Sequence, residues 1–132
     1  MHFASTRIIT ADVARLADFY ERVTGVRANR YTEDFAELVT DSATLAIGST
    51  RTVPMFAPDS AEPAANRSVI IEFFVEDVDS AHRDLSGYVE EFVKEPTTMP
   101  WGNRALLFRD PDGNLVNLFT PVTPEAIERF AR

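Results

Sequence analysis

The sequence predicts an α+β fold built from two pseudo-symmetric βαβββ modules, and three observations carry the prediction. First, Arg7-Ile8-Ile9-Thr10-Ala11-Asp12-Val13-Ala14-Arg15-Leu16-Ala17 and Glu72-Phe73-Phe74-Val75-Glu76-Asp77-Val78-Asp79-Ser80-Ala81-His82 follow one plan. Each is an extended apolar run, an Asp-Val pair and then a stretch of helical period. Second, Asp12 and Asp77 lie 65 positions apart in a chain of 132 residues, so the repeated unit fills half the molecule. Third, short β-prone runs divided by polar turns follow each helical stretch.

Taken in order, Ser5 to Thr10 is a β-branched run suited to a strand. Asp12 then caps a helix whose apolar residues Val13, Leu16, Phe19, Tyr20 and Val23 recur at spacings of three and four. Gly25 stands where a helix C-cap belongs. Strands are expected at Arg27 to Tyr31, Phe35 to Thr40 and Thr44 to Gly48, divided by Thr32-Glu33-Asp34 and Asp41-Ser42. Residues 49–66 carry Pro54, Pro58 and Pro63 and read as a linker. Within it Met55 and Phe56 either anchor the segment to the body or cover a pocket.

The second module repeats the plan. Val69 to Val75 is a strand, Asp77 to Ser86 a helix stopped by Gly87, and Tyr88 to Lys94 the next strand. A loop from Glu95 to Asn103 holds Pro96, Pro100 and Trp101. Arg104 to Arg109 and Leu115 to Thr120 form a hairpin around Asp110-Pro111-Asp112-Gly113-Asn114, whose Asp, Pro and Gly match a type I turn. A helix starting at Thr123 or Pro124 runs through Phe130. The expected organisation is one domain: module one at 1–48, linker at 49–67, module two at 68–122 and a C-terminal helix at 123–132.

Composition narrows the function classes. A chain of this length that is 45% hydrophobic supports a real core, and its uninterrupted apolar runs span only a few residues. A soluble, cytoplasmic protein without membrane contact is expected. The absence of cysteine removes disulfides, thiolate metal sites and a cysteine nucleophile. A net charge of −8 with scattered basic residues argues against nucleic-acid binding. The same acidity either serves solubility or attracts a cationic ligand.

The paired modules, Phe19-Tyr20 with Gly25 closing the first helix, and Trp101-Gly102-Asn103-Arg104 followed by Phe108-Arg109-Asp110-Pro111-Asp112-Gly113-Asn114 resemble the vicinal oxygen chelate superfamily. That is the group of glyoxalase I, bleomycin-resistance proteins and extradiol dioxygenases. The resemblance implies modules that form a curved mixed sheet around a cleft with helices outside. It does not choose among lyases, thiol transferases, dioxygenases and metal-free drug-binding proteins, which share the scaffold.

The resemblance also implies where a metal would be held in the metal-dependent members. The first ligand of each module, usually His, lies seven residues before the helix-opening Asp, and the closing-strand ligand lies four after the turn Gly. Those positions carry Ser5, Ile70 and Asn117, with Ala46 as the first-module counterpart of Asn117. These side chains do not make the His and carboxylate shell that a divalent metal needs, so no metal and no other cofactor is expected. His2 lies at the terminus on the opposite strand parity from Ser5, and His82 falls within the second helix, so neither supplies a ligand.

Strand alternation gives the remaining site candidates. If Ser5 and Ile70 face the cleft, so do Arg7, Ile9, Glu72 and Phe74. Arg7 and Glu72 each lie five before their Asp and are pseudo-symmetry mates, which the resemblance would bring close together. They form either a structural ion pair or a binding pair in which Glu72 receives a cation or acts as a general base. Leu115, Asn117 and Phe119 share a face, and Asn117 either orients a ligand or bonds neighbouring backbone. Trp101 is placed to stack on a planar ligand or clamp its loop, and Arg104 to orient the ligand or bridge to an acidic neighbour. Phe56 completes the candidate set.

Two functions follow. The leading one is metal-independent sequestration of a hydrophobic aromatic small molecule or antibiotic, cationic or neutral, of the bleomycin-resistance type. Ten Phe, three Tyr and Trp101 suit it. The alternative is metal-free acid/base chemistry on a small metabolite, a lyase or isomerase reaction using Glu72. The resemblance further implies a homodimer, with or without exchanged modules, and the linker is long enough for exchange.

Overall fold

The two repeated aspartates start the two main helices. In a computed structural model of the chain, which describes residues 1–131, Asp12 is extended and its Oδ1 accepts from the Arg15 amide at 3.0 Å, opening α1 (Val13–Thr24). Asp77 repeats the cap at α3 (Val78–Leu85), accepting from the Asp79 and Ser80 amides at 3.1 Å each. Such caps contribute about 1 kcal/mol apiece. Gly25 closes α1 at φ +73°, a left-handed conformation that a Cβ disfavours.

The chain forms two compact units. Unit 1 comprises Met1–Asn66 and Asp110–Gly113. Its mixed sheet has the order β1 (Thr6–Thr10), β4 (Thr44–Ser49), β3 (Phe35–Val39), β2 (Asn29–Thr32), and only β1 and β4 run parallel. Alternation sends Ala36, Leu38, Leu45 and Ile47 to one face, where they are buried together with Leu16, Ala17 and Tyr20 of α1. The opposite face carries Arg7, Ile9, Phe35, Glu37, Ala46 and Gly48.

Unit 2 comprises residues 67–109 and the chain from Asn114 onward. It repeats the topology as β5 (Ile70–Phe74), β8 (Leu115–Pro121), β7 (Asn103–Arg109), β6 (Phe92–Thr98), with β5 and β8 parallel. Leu106, Phe108, Val116 and Leu118 are fully buried on the face that meets α3 through Val78 and Leu85. The other face carries Ile70, Glu72, Phe74, Leu107, Leu115, Asn117 and Phe119. The last helix, α4 (Pro124–Phe130), packs beside β8, with the Phe130 and Phe119 rings 5.2 Å apart.

Two stretches differ from the sequence expectation. The strand expected at Tyr88 to Lys94 lies at Phe92–Thr98 instead. The Tyr88 and Val89 amides donate to Leu85 O, so the segment after α3 coils back on the helix before extending. Pro96 lies inside β6 because β6 is the sheet edge, where a missing N–H breaks no ladder bond. The loop then shrinks to a tight hairpin. Gly102 donates to Met99 O at 2.9 Å, Met99 donates to Asn103 O at 2.7 Å, and Gly102 takes φ +95°. This is a three-residue connection that needs a left-handed residue at its end.

The linker is the second difference. Ser49 Oγ accepts from the Arg51 amide and donates to Asp34 Oδ1 at 2.7 Å, starting a 3-10 turn at Thr50–Thr52 that runs into α2 (Val53–Phe56). Val53 is the buried anchor of this segment, while Met55 and Phe56 stay exposed.

The Asp110 turn is as expected, with Gly113 donating to Asp110 O at 3.0 Å and φ +83° at Gly113. Its grouping with unit 1 has a local cause. Asp110 Oδ1 accepts from the Asp112 amide, and Oδ2 accepts from the buried Tyr20 hydroxyl at 2.6 Å. Among the described residues, no helix is long and apolar enough to cross a membrane.

Candidate functional site

In unit 1 the solvent-side face of the sheet carries Arg7 and the segment after β4 brings aromatic cover to it. Arg7 Cζ lies 4.7 Å from the centroid of Phe35 on β3 and 5.4 Å from that of Phe56 on α2. Both distances fall within the roughly 6 Å reach of a cation–π contact. With Thr52 and Met55 these residues line an open pocket of about 230 Å³. Phe56 is 70% and Met55 82% exposed, so they form its rim and are not packed into a core. Tyr31 stacks on Phe35 at 5.8 Å, and its hydroxyl, held by Glu37, is less acidic than an ordinary phenol because it donates to that carboxylate. Within this unit no described carboxylate forms an ion pair with Arg7.

In unit 2 the register places Glu72 opposite Asn117, and Asn117 Nδ2 donates to Glu72 Oε2 at 2.8 Å. A carboxylate only accepts, so the amide nitrogen must face it. That leaves Asn117 Oδ1, which is buried and has no partner among the described residues. A buried acceptor in that state costs about 1–3 kcal/mol and suits a ligand N–H or O–H. Phe74, exposed, meets Phe119 edge-on at 6.0 Å beside this pair.

Arg104 is engaged with a neighbour. Its Nε and Nη2 donate to Asp79 Oδ2 and Oδ1 at 2.8 and 3.0 Å, a bidentate pair joining β7 to the first turn of α3. The hydrogen bonds from Arg104 hold the Asp79 carboxyl below the usual carboxylate range. Of the two roles open to Arg104 in the sequence, the structure contains the bridge. Trp101 sits at the tip of the β6–β7 hairpin and is 63% exposed.

Sequence reasoning missed the stacking of Arg7 between Phe35 and Phe56. The available signal was parity, which puts Arg7 and Phe35 on one face once the strand order is known. It also missed Tyr20–Asp110, a contact over 90 positions that no local pattern announces.

Paired βαβββ units, each with its parallel pair formed by the first and last strand and a polar site on the face away from the helix, define a class of two-module proteins. The sequence profile of the Glyoxalase/Bleomycin resistance protein/Dioxygenase superfamily matches residues 2–118, and the chain belongs to that family. Solved structures share the fold. A glyoxalase/bleomycin resistance protein/dioxygenase from Nocardioides is 21% identical over 94% of this chain and 85% of its own, with a TM-score of 0.74. A family enzyme from Burkholderia phytofirmans PsJN is 17% identical over 90% and 98%, with a TM-score of 0.77. A superfamily member from Sphaerobacter thermophilus is 29% identical over 91% and 97%, with a TM-score of 0.67. No curated protein matches.

The residues at the family's metal-ligand positions do not fit a divalent cation. Unit 1 offers the hydroxyl of Ser5 and the methyl of Ala46, and unit 2 the hydrocarbon of Ile70 and the amide of Asn117. Among the described residues no three His, Cys, Asp or Glu side chains gather in a way that could hold a metal.

Proposed function

We propose that this protein binds and sequesters a hydrophobic aromatic small molecule without a metal. The ring-lined pocket around Arg7 carries the reading. It presents the exposed Phe56 ring, beside Phe35 and Met55, as an apolar surface at a place where the neighbouring metal-ligand equivalents, Ser5 and Ala46, do not make a metal shell. The acid/base alternative needs a carboxyl withdrawn from water. Glu72 is exposed and already accepts from Asn117, which favours binding over proton transfer.

A thermal-shift panel of planar aromatic compounds and divalent metals tests this. A binding aromatic compound at about a hundred times its dissociation constant adds roughly 2.7 kcal/mol to native stability. The expected result is a Tm increase with an aromatic compound, reduced in Phe56→Ala. A shift produced by metals alone would overturn the reading. Assembly as a homodimer, with or without exchanged modules, belongs to the same proposal. Light scattering at micromolar concentration is expected to give twice the chain mass, and a monomeric mass would remove that part of it.

A further inference from the structure

We infer that the ligand of the Arg7 pocket is a planar aromatic anion, a carboxylate carried on one or two rings. The inference rests on the aromatic-binding reading above and adds the charge and size of the molecule. Arg7 Cζ lies 4.7 Å from the Phe35 centroid and 5.4 Å from that of Phe56, and a cation–π contact consumes none of the guanidinium N–H donors. No described carboxylate of the unit takes those donors. A fork of unclaimed donors beside the exposed Phe56 ring matches a carboxylate attached to an aromatic system, since the ring covers the aromatic part and the fork binds two oxygens at once.

The surroundings leave Arg7 as the decisive group. Thr52 lines the pocket, but its hydroxyl donates to Ser49 O at 2.7 Å, so its proton is committed. Glu37 shares the sheet face and is engaged by Tyr31. Gly48 on β4 leaves the floor bare: a Cβ there would lie 3.2 Å from Thr52 Oγ1 and 3.5 Å from Arg7 Nη1. The pocket, at about 230 Å³, falls below the roughly 300–1,000 Å³ of drug-sized sites, so one or two rings suffice to fill it.

The net charge of −8 favours cations at long range. Salt screens that field over about 8 Å at physiological ionic strength, whereas a carboxylate on Arg7 sits in direct contact. Inside the pocket the arginine therefore decides the sign.

Calorimetric titration of the full chain with 2-naphthoate, its neutral isostere 2-naphthamide and the cation 2-naphthylmethylammonium tests the inference. The naphthoate is expected to bind about tenfold or more tightly than the amide, as a charge-assisted bidentate contact implies, with the ammonium weakest. In Arg7→Gln the acid and the amide should bind equally, and in Phe56→Ala all three should weaken. Equal affinity of acid and amide in the parent protein, or a preference that survives Arg7→Gln, overturns the anion assignment while the aromatic reading stands. Failure of all three probes to bind overturns both. Arg7 is exposed, and circular dichroism of Arg7→Gln checks that the fold is kept.

Discussion

Gly102→Ala is expected to lower the stability of unit 2 by about 2–4 kcal/mol, of which roughly 1–3 kcal/mol is backbone strain and about 1 kcal/mol a disturbed helix cap. Gly102 sits at φ +95°, and its carbonyl accepts from the Val122 and Thr123 amides at 2.9 and 3.3 Å. A Cβ there would collide with Thr123 Oγ1 and come within 3.0 Å of Ala126 Cβ. Thr123 Oγ1 is the acceptor for the Ala126 amide and so caps α4. The substitution therefore strains the hairpin and dislodges the helix start together. Gly113→Ala is the control, because Gly113 has φ +83° but nothing within 4 Å of an added Cβ. Urea midpoints measure both. Equal losses in the two variants would show that the contact with Thr123 carries no energy.

Tyr20→Phe is expected to cost about 1–3 kcal/mol, because it removes a short hydrogen bond to a buried carboxylate. The Tyr20 side chain is fully buried, Asp110 is 6% exposed, and the bond between them is 2.6 Å. Burial first, then the charge of Asp110, push the Tyr20 hydroxyl far above the ordinary phenol range. The folded value lies above the unfolded one, so this contribution is fully present below about pH 10, the unfolded phenol value, and is lost as pH rises above it. The stability difference between parent and Tyr20→Phe should thus be flat from pH 6 to 9 and shrink at higher pH, at up to about 1.4 kcal/mol per pH unit. Urea unfolding of both proteins across pH 6 to 11 measures it. A difference that stays constant to pH 11 would be inconsistent with a buried phenol held by Asp110.

The parts of the fold that were legible are those fixed by neighbours in sequence. The two Asp caps, Gly25 and the Asp110 to Gly113 turn are each set by a side chain acting within a few residues, so their residue types announce them. The repeat made the second module readable from the first. β6 was misplaced because Pro96 reads as a strand breaker until its edge position is known, and Val89 reads as a strand residue although it caps the coil after α3. α2 was hidden because Pro54, which reads as a linker residue, is equally at home in the first turn of a short helix, where its missing N–H breaks no helix bond.

The candidate site divided along the same line. Parity, anchored by the family resemblance, placed Arg7, Glu72, Phe74, Asn117 and Phe119 on the strand faces that the structure turns away from the helices. The resemblance marked Ser5, Ala46, Ile70 and Asn117 as the metal-ligand equivalents, and their side chains are poor metal ligands because donor chemistry belongs to the residue itself. What each side chain touches was a matter of tertiary structure. Arg104 finds Asp79, Asn117 finds Glu72 and Tyr20 finds Asp110 across separations of 25, 45 and 90 positions.

By itself, then, the sequence determined the repeat, the caps and the turn, all of which follow from local geometry and residue chemistry. Only the tertiary structure decided that Arg7 lies between Phe35 and Phe56. That contact requires β4 to bring β1 and β3 to either side of it and α2 to fold back over their sheet, and no pattern along the chain encodes such an approach of distant segments.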